Sequence, residues 1–209
     1  MSFSDWLALT SICILGALSP GASLALIIRN TLAFGTATGL RTALGHGLGV
    51  GFYALISATG VKVIFDRYPM LIFAIQSAGG LFLLYLAYQS VKHCNKKIAK
   101  ANLDSNRSSS GFLAGFLLAT LNPKVMVFFF ALFSQFVKPH FLLWEQAAMA
   151  GWALMIDTLW YLFVVLSIAH FNLETYLISR SKEIAIISAG VFTFIAVGLF
   201  IDSLTSFLL

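Results

Sequence analysis

The chain of 209 residues is 59% hydrophobic and 10% charged, with a formal net charge of +5. With a mean hydropathy of +0.91, it is too apolar for a soluble globular domain and leaves no polar stretch long enough to form one. The positive balance falls in short segments between apolar runs, which points to membrane topology and away from a nucleic-acid partner.

Six runs have the roughly 20 residues needed to cross about 30 Å of hydrocarbon. They cover Trp6–Ile28, Leu40–Val61, Pro69–Val91, Gly111–Val137, Trp144–Ala169 and Ile184–Phe207. The first reads as a retained span and not a secretory signal, because it lacks a basic leader, carries Asp5 and is long for a signal core. Trp6, Tyr68 and Trp144 near span ends suit interfacial anchoring. Cys13 within a span and Cys94 in a polar loop offer neither a disulfide nor a metal-ligand spacing.

Two of the runs are interrupted. Ser19-Pro20-Gly21 breaks the first and Asn122-Pro123-Lys124 the fourth. Ser and Asn cap new helices by accepting orphan N–H groups, and Pro suits the next position, where no N–H is needed. Each break therefore predicts a half-helix that starts inside the membrane, with Ser19 and Asn122 as the caps.

Basic residues set the expected orientation. Nine of them (Arg29, Arg41, Lys92, Lys96, Lys97, Lys100, Arg107, Arg180, Lys182) lie in the odd loops, against three (Lys62, Arg67, Lys138) on the other side. The odd loops are then cytoplasmic and both termini lie outside. Residues 1–91 form a first three-helix repeat, 92–110 a basic, Ser/Asn-rich cytoplasmic linker and 111–209 a second repeat. Three spans per half force opposite orientations, and Pro20 and Pro123 occupy matching places 103 residues apart. The same register sets Gly16 against Ala119 and Gly47 against Ala150. The expected fold is an all-α polytopic membrane protein of six transmembrane helices, two inverted three-helix repeats with broken first and fourth helices. Such repeats place a substrate site of a secondary transporter near the midplane.

The breaks also predict chemistry. Helix N-termini that face each other from opposite sides converge unpaired N–H groups and positive dipole ends, which suits a carboxylate. Ser19, Pro20, Gly21, Asn122, Pro123 and Lys124 are the candidate cradle, with Lys124 adding a full charge. The plainer alternative is that both prolines only kink packed helices. Asp157 lies mid-span, where a carboxylate is expensive, and is the candidate for a substrate amine, a coupling proton, or both in exchange. Its plainer alternative is a neutralising pair with Lys124. His46 is either a proton relay or an ordinary hydrogen-bonded histidine near the cytoplasmic end of its span.

Tyr161, one turn after Asp157, and the i, i+4 pair Tyr85 and Gln89 are candidate lining residues. Gly45 and Gly49 share one helix face and Gly47 and Gly51 nearly the opposite one, so the second span can approach two neighbours closely. Gly111 and Gly115 extend this to the fourth. Neither a nucleophile with its base, a zinc-protease helix nor a nucleotide loop is evident, so no enzyme, cofactor, metal or ATP coupling is expected.

The Ser-Pro-Gly break, the Gly-rich second run, Gly79-Gly80-Leu81 with Tyr85 and Gln89, and Asn122-Pro123-Lys124 followed by aromatics and Phe133-Ser134-Gln135-Phe136 resemble the lysine-exporter superfamily. Within it, the chain is similar over its whole length to the LysE/RhtB amino-acid exporters, most of all the homoserine/threonine type. It departs from them at Ala22, where the family reads the second proline of Pro-Gly-Pro. The resemblance implies an exporter of amino acids in the bacterial inner membrane, driven by protons and compatible with a homo-oligomer. A cation or metal carrier, or a non-transporting assembly factor, is the alternative.

Overall fold

A computed structural model describes residues 1–19, 21–93 and 111–171, and after these 180, 182, 183, 186, 187, 189, 190, 192–194, 196 and 197. Pro20, the linker beyond His93 and most of the expected span Ile184–Phe207 lie outside them. Among the described residues all regular structure is helical.

Helix α1 (Phe3–Leu18) opens with a capping box, in which the Ser2 hydroxyl accepts from the Asp5 N–H and the Asp5 carboxylate accepts from the Ser2 N–H. It closes at Ser19, whose N–H donates to the Leu15 carbonyl at 3.0 Å. Helix α2 (Ala22–Phe34) starts from Gly21 with no side-chain cap. Ser19 thus ends the first half-helix and does not begin the second. Its backbone continues the i to i−4 ladder, which leaves its hydroxyl free to turn elsewhere.

The second half of this span also runs further than the apolar pattern suggests. Arg29 and Asn30, expected in the first loop, are helical. Asn30 is fully buried and donates to Thr42 Oγ1 at 3.0 Å, and the Thr31 hydroxyl donates to the Ile27 carbonyl. Local bonds of this kind let polar residues continue a helix past the end of its apolar run. Gly35 then turns the chain at φ 83°, a conformation open mainly to glycine.

Helix α3 (Thr36–Arg67) follows, and its 32 residues span about 48 Å at 1.5 Å per residue. Helix α4 (Pro69–His93) starts with proline at its first position. Helix α5 (Gly111–Leu121) ends at the second break. Asn122 there caps α6 (Pro123–Phe136), its side-chain oxygen accepting from the Lys124 N–H at 3.0 Å. Helix α7 (Leu143–Phe171) completes the elements.

Thr36–Ile64 and Leu143–Ala169 are each long and apolar enough to cross a membrane. The pairs α1/α2 and α5/α6 reach that length only together, bent by 56° and 58° at their breaks, for up to four spans by length and composition. Many large apolar side chains, among them Leu7, Leu44, Leu48, Phe52, Leu159 and Phe163, face outward. An exterior that apolar is solvated by lipid and not by water.

Helix α3 is the axis of the packing, lying against α2, α4, α5, α6 and α7. Its two glycine faces explain how. A Cβ on Gly45 would run into the Phe112 carbonyl and one on Gly49 would meet Ala119 Cβ at 2.6 Å, both on α5. Gly47 and Gly51 are pressed against Thr158 and Leu154 of α7. From the other side, Gly111 and Gly115 of α5 touch Thr38 and Thr42 of α3. A Gly47→Val or Gly45→Val change is expected to cost about 1–3 kcal/mol by overpacking. Thermal melting in detergent should show that loss, whereas Gly151→Ala, with nothing within 4 Å of the new methyl, should melt like the parent.

Candidate functional site

The two breaks open into one cavity of about 80 Å³. The end of α1 supplies Gly16 and Ser19, and the start of α2 supplies Gly21, Ala22 and Ser23. Asn122, Lys124 and Val125 enter from the start of α6, His46 and Val50 from α3, and Asp157 and Tyr161 from α7. Phe128, Phe129 and Phe192 form an aromatic wall. Gly16 is small because Phe128 leaves no room, a Cβ there lying 2.9 Å from the ring. Both half-helix N-termini therefore line the same space.

A buried polar chain crosses one side of this cavity. His46 Nδ1 lies 2.7 Å from Asp157 Oδ2, and His46 Nε2 lies 2.8 Å from Ser23 Oγ. Asp157 is 8% exposed and His46 2%, so neither group is left to water. With Asp157 ionised, Nδ1–H donates to the carboxylate, Nε2 is the acceptor, and the Ser23 hydroxyl donates to it. Tyr161 stands edge-on to the imidazole, ring centroids 5.0 Å apart, and its hydroxyl donates to the Ala17 carbonyl at 3.5 Å. These contacts fix the ring in its plane and hold α7 to the end of α1.

Lys124 stands across the cavity. Its ammonium donates to Ser19 Oγ at 3.4 Å, and among the described residues it forms no ion pair. Asp157 pairs with His46 and not with Lys124, because α3 and α7 are drawn together at Gly47 and Gly51. The neutralising Lys124 pair considered from the sequence is absent. Among the described residues the cavity therefore has one end with a cation that lacks a carboxylate, and another where a carboxylate is matched by an imidazole.

Of the residues expected in the site, Ser19, Gly21, His46, Asn122, Lys124, Asp157 and Tyr161 line this cavity. Pro123 takes the first turn of α6, and Pro20 lies outside the described residues. Tyr85 and Gln89 sit on α4, hydrogen-bonded to one another, and do not line the cavity. His46 is deeper than expected because α3 begins at Thr36, which puts ten residues between it and the helix start. Ser23 is the functional-site residue that the sequence did not single out. Its only signal is a hydroxyl one residue into α2, just after the break. No group of three or more His, Cys, Asp or Glu among the described residues could hold a metal ion.

An all-helical, lipid-facing bundle with an ionisable pair and a lysine around an internal cavity is a multi-pass membrane protein of the kind that handles a solute or ion. The chain belongs to the LysE-type translocator family, whose sequence model matches residues 14–203. It is 27% identical to an uncharacterized membrane protein of Bacillus subtilis over 157 residues, 70% of this chain and 74% of the relative. It is 27% identical to the threonine efflux protein of Escherichia coli K12 over 136 residues, 63% of this chain and 66% of that one, just under two thirds of its length. With the threonine efflux protein of Salmonella typhi the identity is 26% over 163 residues, 74% of this chain and 77% of the relative. No solved structure matches.

Removing one partner of the buried pair exposes its worth. Asp157→Ala leaves His46 Nδ1–H buried without an acceptor and is expected to destabilise by about 1–3 kcal/mol. The double change His46→Leu with Asp157→Ala should lose less than the sum of the two single changes, since neither a buried carboxylate nor a buried Nδ1–H is left facing an empty place. Thermal melting of the four forms in one detergent measures this directly.

Proposed function

We propose that this protein is a secondary transporter that exports small amino acids, threonine- or homoserine-like, from the cytoplasm in exchange for protons. The observation that carries this reading is Lys124, an ammonium with no carboxylate partner among the described residues, at the place where two half-helix N-termini converge. A substrate carboxylate completes that arrangement, held by Lys124 and by the N–H groups at the uncapped start of α2, with Ser19 beside them. Asp157, supported by His46, takes the substrate amine or the coupling proton, one in exchange for the other. Tyr161 walls the site. Membership of a translocator family and the names of the threonine efflux relatives support the substrate class.

Six spans in two inverted halves accommodate the described helices. The pairs α1/α2 and α5/α6 are the first and fourth spans, α3 and α4 the second and third, α7 the fifth, and the segment after it the sixth. The packing supports such a repeat, since contacts between the halves come in exchanged pairs: α3 with α5 and α7 with α1, α3 with α6 and α7 with α2, α1 with α6 and α5 with α2. The bends of 56° and 58° at matching breaks agree with it. The excess of basic residues in odd loops supports cytoplasmic odd loops and external termini in a bacterial inner membrane.

Proteoliposomes loaded with a panel of labelled amino acids test the reading. An imposed pH gradient should stimulate release of threonine, homoserine or their small neighbours. Lys124→Gln and Asp157→Asn should each cut that release about tenfold or more, the equivalent of one lost charge-assisted hydrogen bond. Release of a divalent cation instead, or of no solute from correctly inserted protein, would sink it.

A further inference from the structure

The Ser23 hydroxyl has two possible directions, and the protonation state of His46 selects between them. While the imidazole is neutral, with its proton on Nδ1 toward Asp157, Ser23 O–H donates to Nε2 and the Ser23 oxygen, beside the Tyr161 hydroxyl, keeps acceptor capacity toward the cavity it lines. Once a proton settles on Nε2, that N–H donates to Ser23 Oγ and occupies a lone pair. The hydroxyl hydrogen must then turn away, into the cavity that Ser23 lines. The same proton takes the His46/Asp157 pair from a net negative charge to neutrality.

We propose that Ser23 is a specificity and coupling residue: it accepts a hydrogen bond from the substrate ammonium only while His46 is neutral, so that proton and amine occupy the site in turn. This rests on the transport reading above. A substrate ammonium finds a negative pair and an open oxygen acceptor in one state, and a neutral pair with an outward-pointing O–H in the other. Lys124 lies across the cavity and does not touch the pair. Mutual exclusion of this kind is what exchange demands, because a transporter that bound both together would carry them in the same direction.

The groups around His46 come from several elements. Among the described residues, α7 brings Asp157 and Tyr161 to it, α6 brings Lys124, and α1 brings Cys13 near the Asp157 carboxylate. Helix α2 contributes Ser23, with Arg29 six residues further on, and α5 carries no titratable side chain. Ser23 is the one non-titratable group bonded to the face of the ring opposite Asp157. Most other hydroxyls here, such as Thr10, Ser11, Thr31 and Thr59, turn back onto carbonyls of their own helices.

Calorimetry of L-threonine binding to the purified full-length protein, in buffers of different ionisation enthalpy, reads the coupling as protons released per substrate bound. The parent protein should release protons on binding and bind about tenfold more weakly near pH 6 than near pH 8. Ser23→Ala, with an unchanged melting temperature, should weaken binding at the higher pH and reduce the pH dependence to about threefold or less. Ser23→Thr, which restores the hydroxyl, should recover both. If Ser23→Ala releases as many protons as the parent and keeps its pH dependence, or if the parent takes protons up on binding, the switch is wrong while transport stands. A parent protein that binds no amino acid of the panel removes the transport reading and the switch with it.

Discussion

A carboxylate inside a lipid-embedded bundle persists only if its charge is answered nearby, and the 2.7 Å contact between Asp157 and His46 provides that answer. Much of the arrangement follows from making the contact possible. It joins residues 111 positions apart on two long helices, so α3 and α7 must approach more closely than ordinary side chains permit. Gly47 and Gly51 remove the side chains that would prevent it, while Gly45 and Gly49 let α5 close on the opposite face. The glycines of α3 are thus part of the site without lining it as ligands.

The breaks supply the other half of the design. An unbroken helix in lipid satisfies its own backbone and offers nothing to a solute. The breaks between α1 and α2 and between α5 and α6 create two new helix starts, and the packing brings both to one cavity. The two are not built alike. Asn122 caps its own helix, which spends its side chain locally, whereas Ser19 ends the helix before the break and its hydroxyl is left to receive Lys124. Gly21, without a side chain, leaves the start of α2 open. The Ala22 that stands where the family reads proline belongs to this open end.

Features carried by contrast or by period were legible in the sequence. Polar triplets in apolar runs marked the breaks, and 100° arithmetic on Gly45, Gly47, Gly49 and Gly51 gave the two close neighbours of α3, later seen as α5 and α7. Asp157 stood out because carboxylates are rare in membrane spans. The partner of Asp157 was not legible. Lys124 and His46 were both available, and only the relative depth of α3 and α7 decides between them. Ser23 was invisible for a general reason: a serine or threonine in a membrane helix usually bonds a carbonyl one turn back, so one more hydroxyl carries no information until an imidazole is placed beside it. Tyr85 and Gln89 had the right spacing to pair and do so, but their helix turns them away from the cavity.

The central claim is that the space between the two half-helix starts holds the carboxylate of an amino acid. Val125 lines that space in the first turn of α6 without a polar role of its own. A Val125→Cys variant, in a background with Cys13 and Cys94 replaced by serine, can be labelled in membranes with a small thiol reagent. L-threonine should slow the labelling, and L-threonine amide, which lacks the carboxylate, should not. Equal protection by both compounds, or by neither at saturating concentration, would contradict the account.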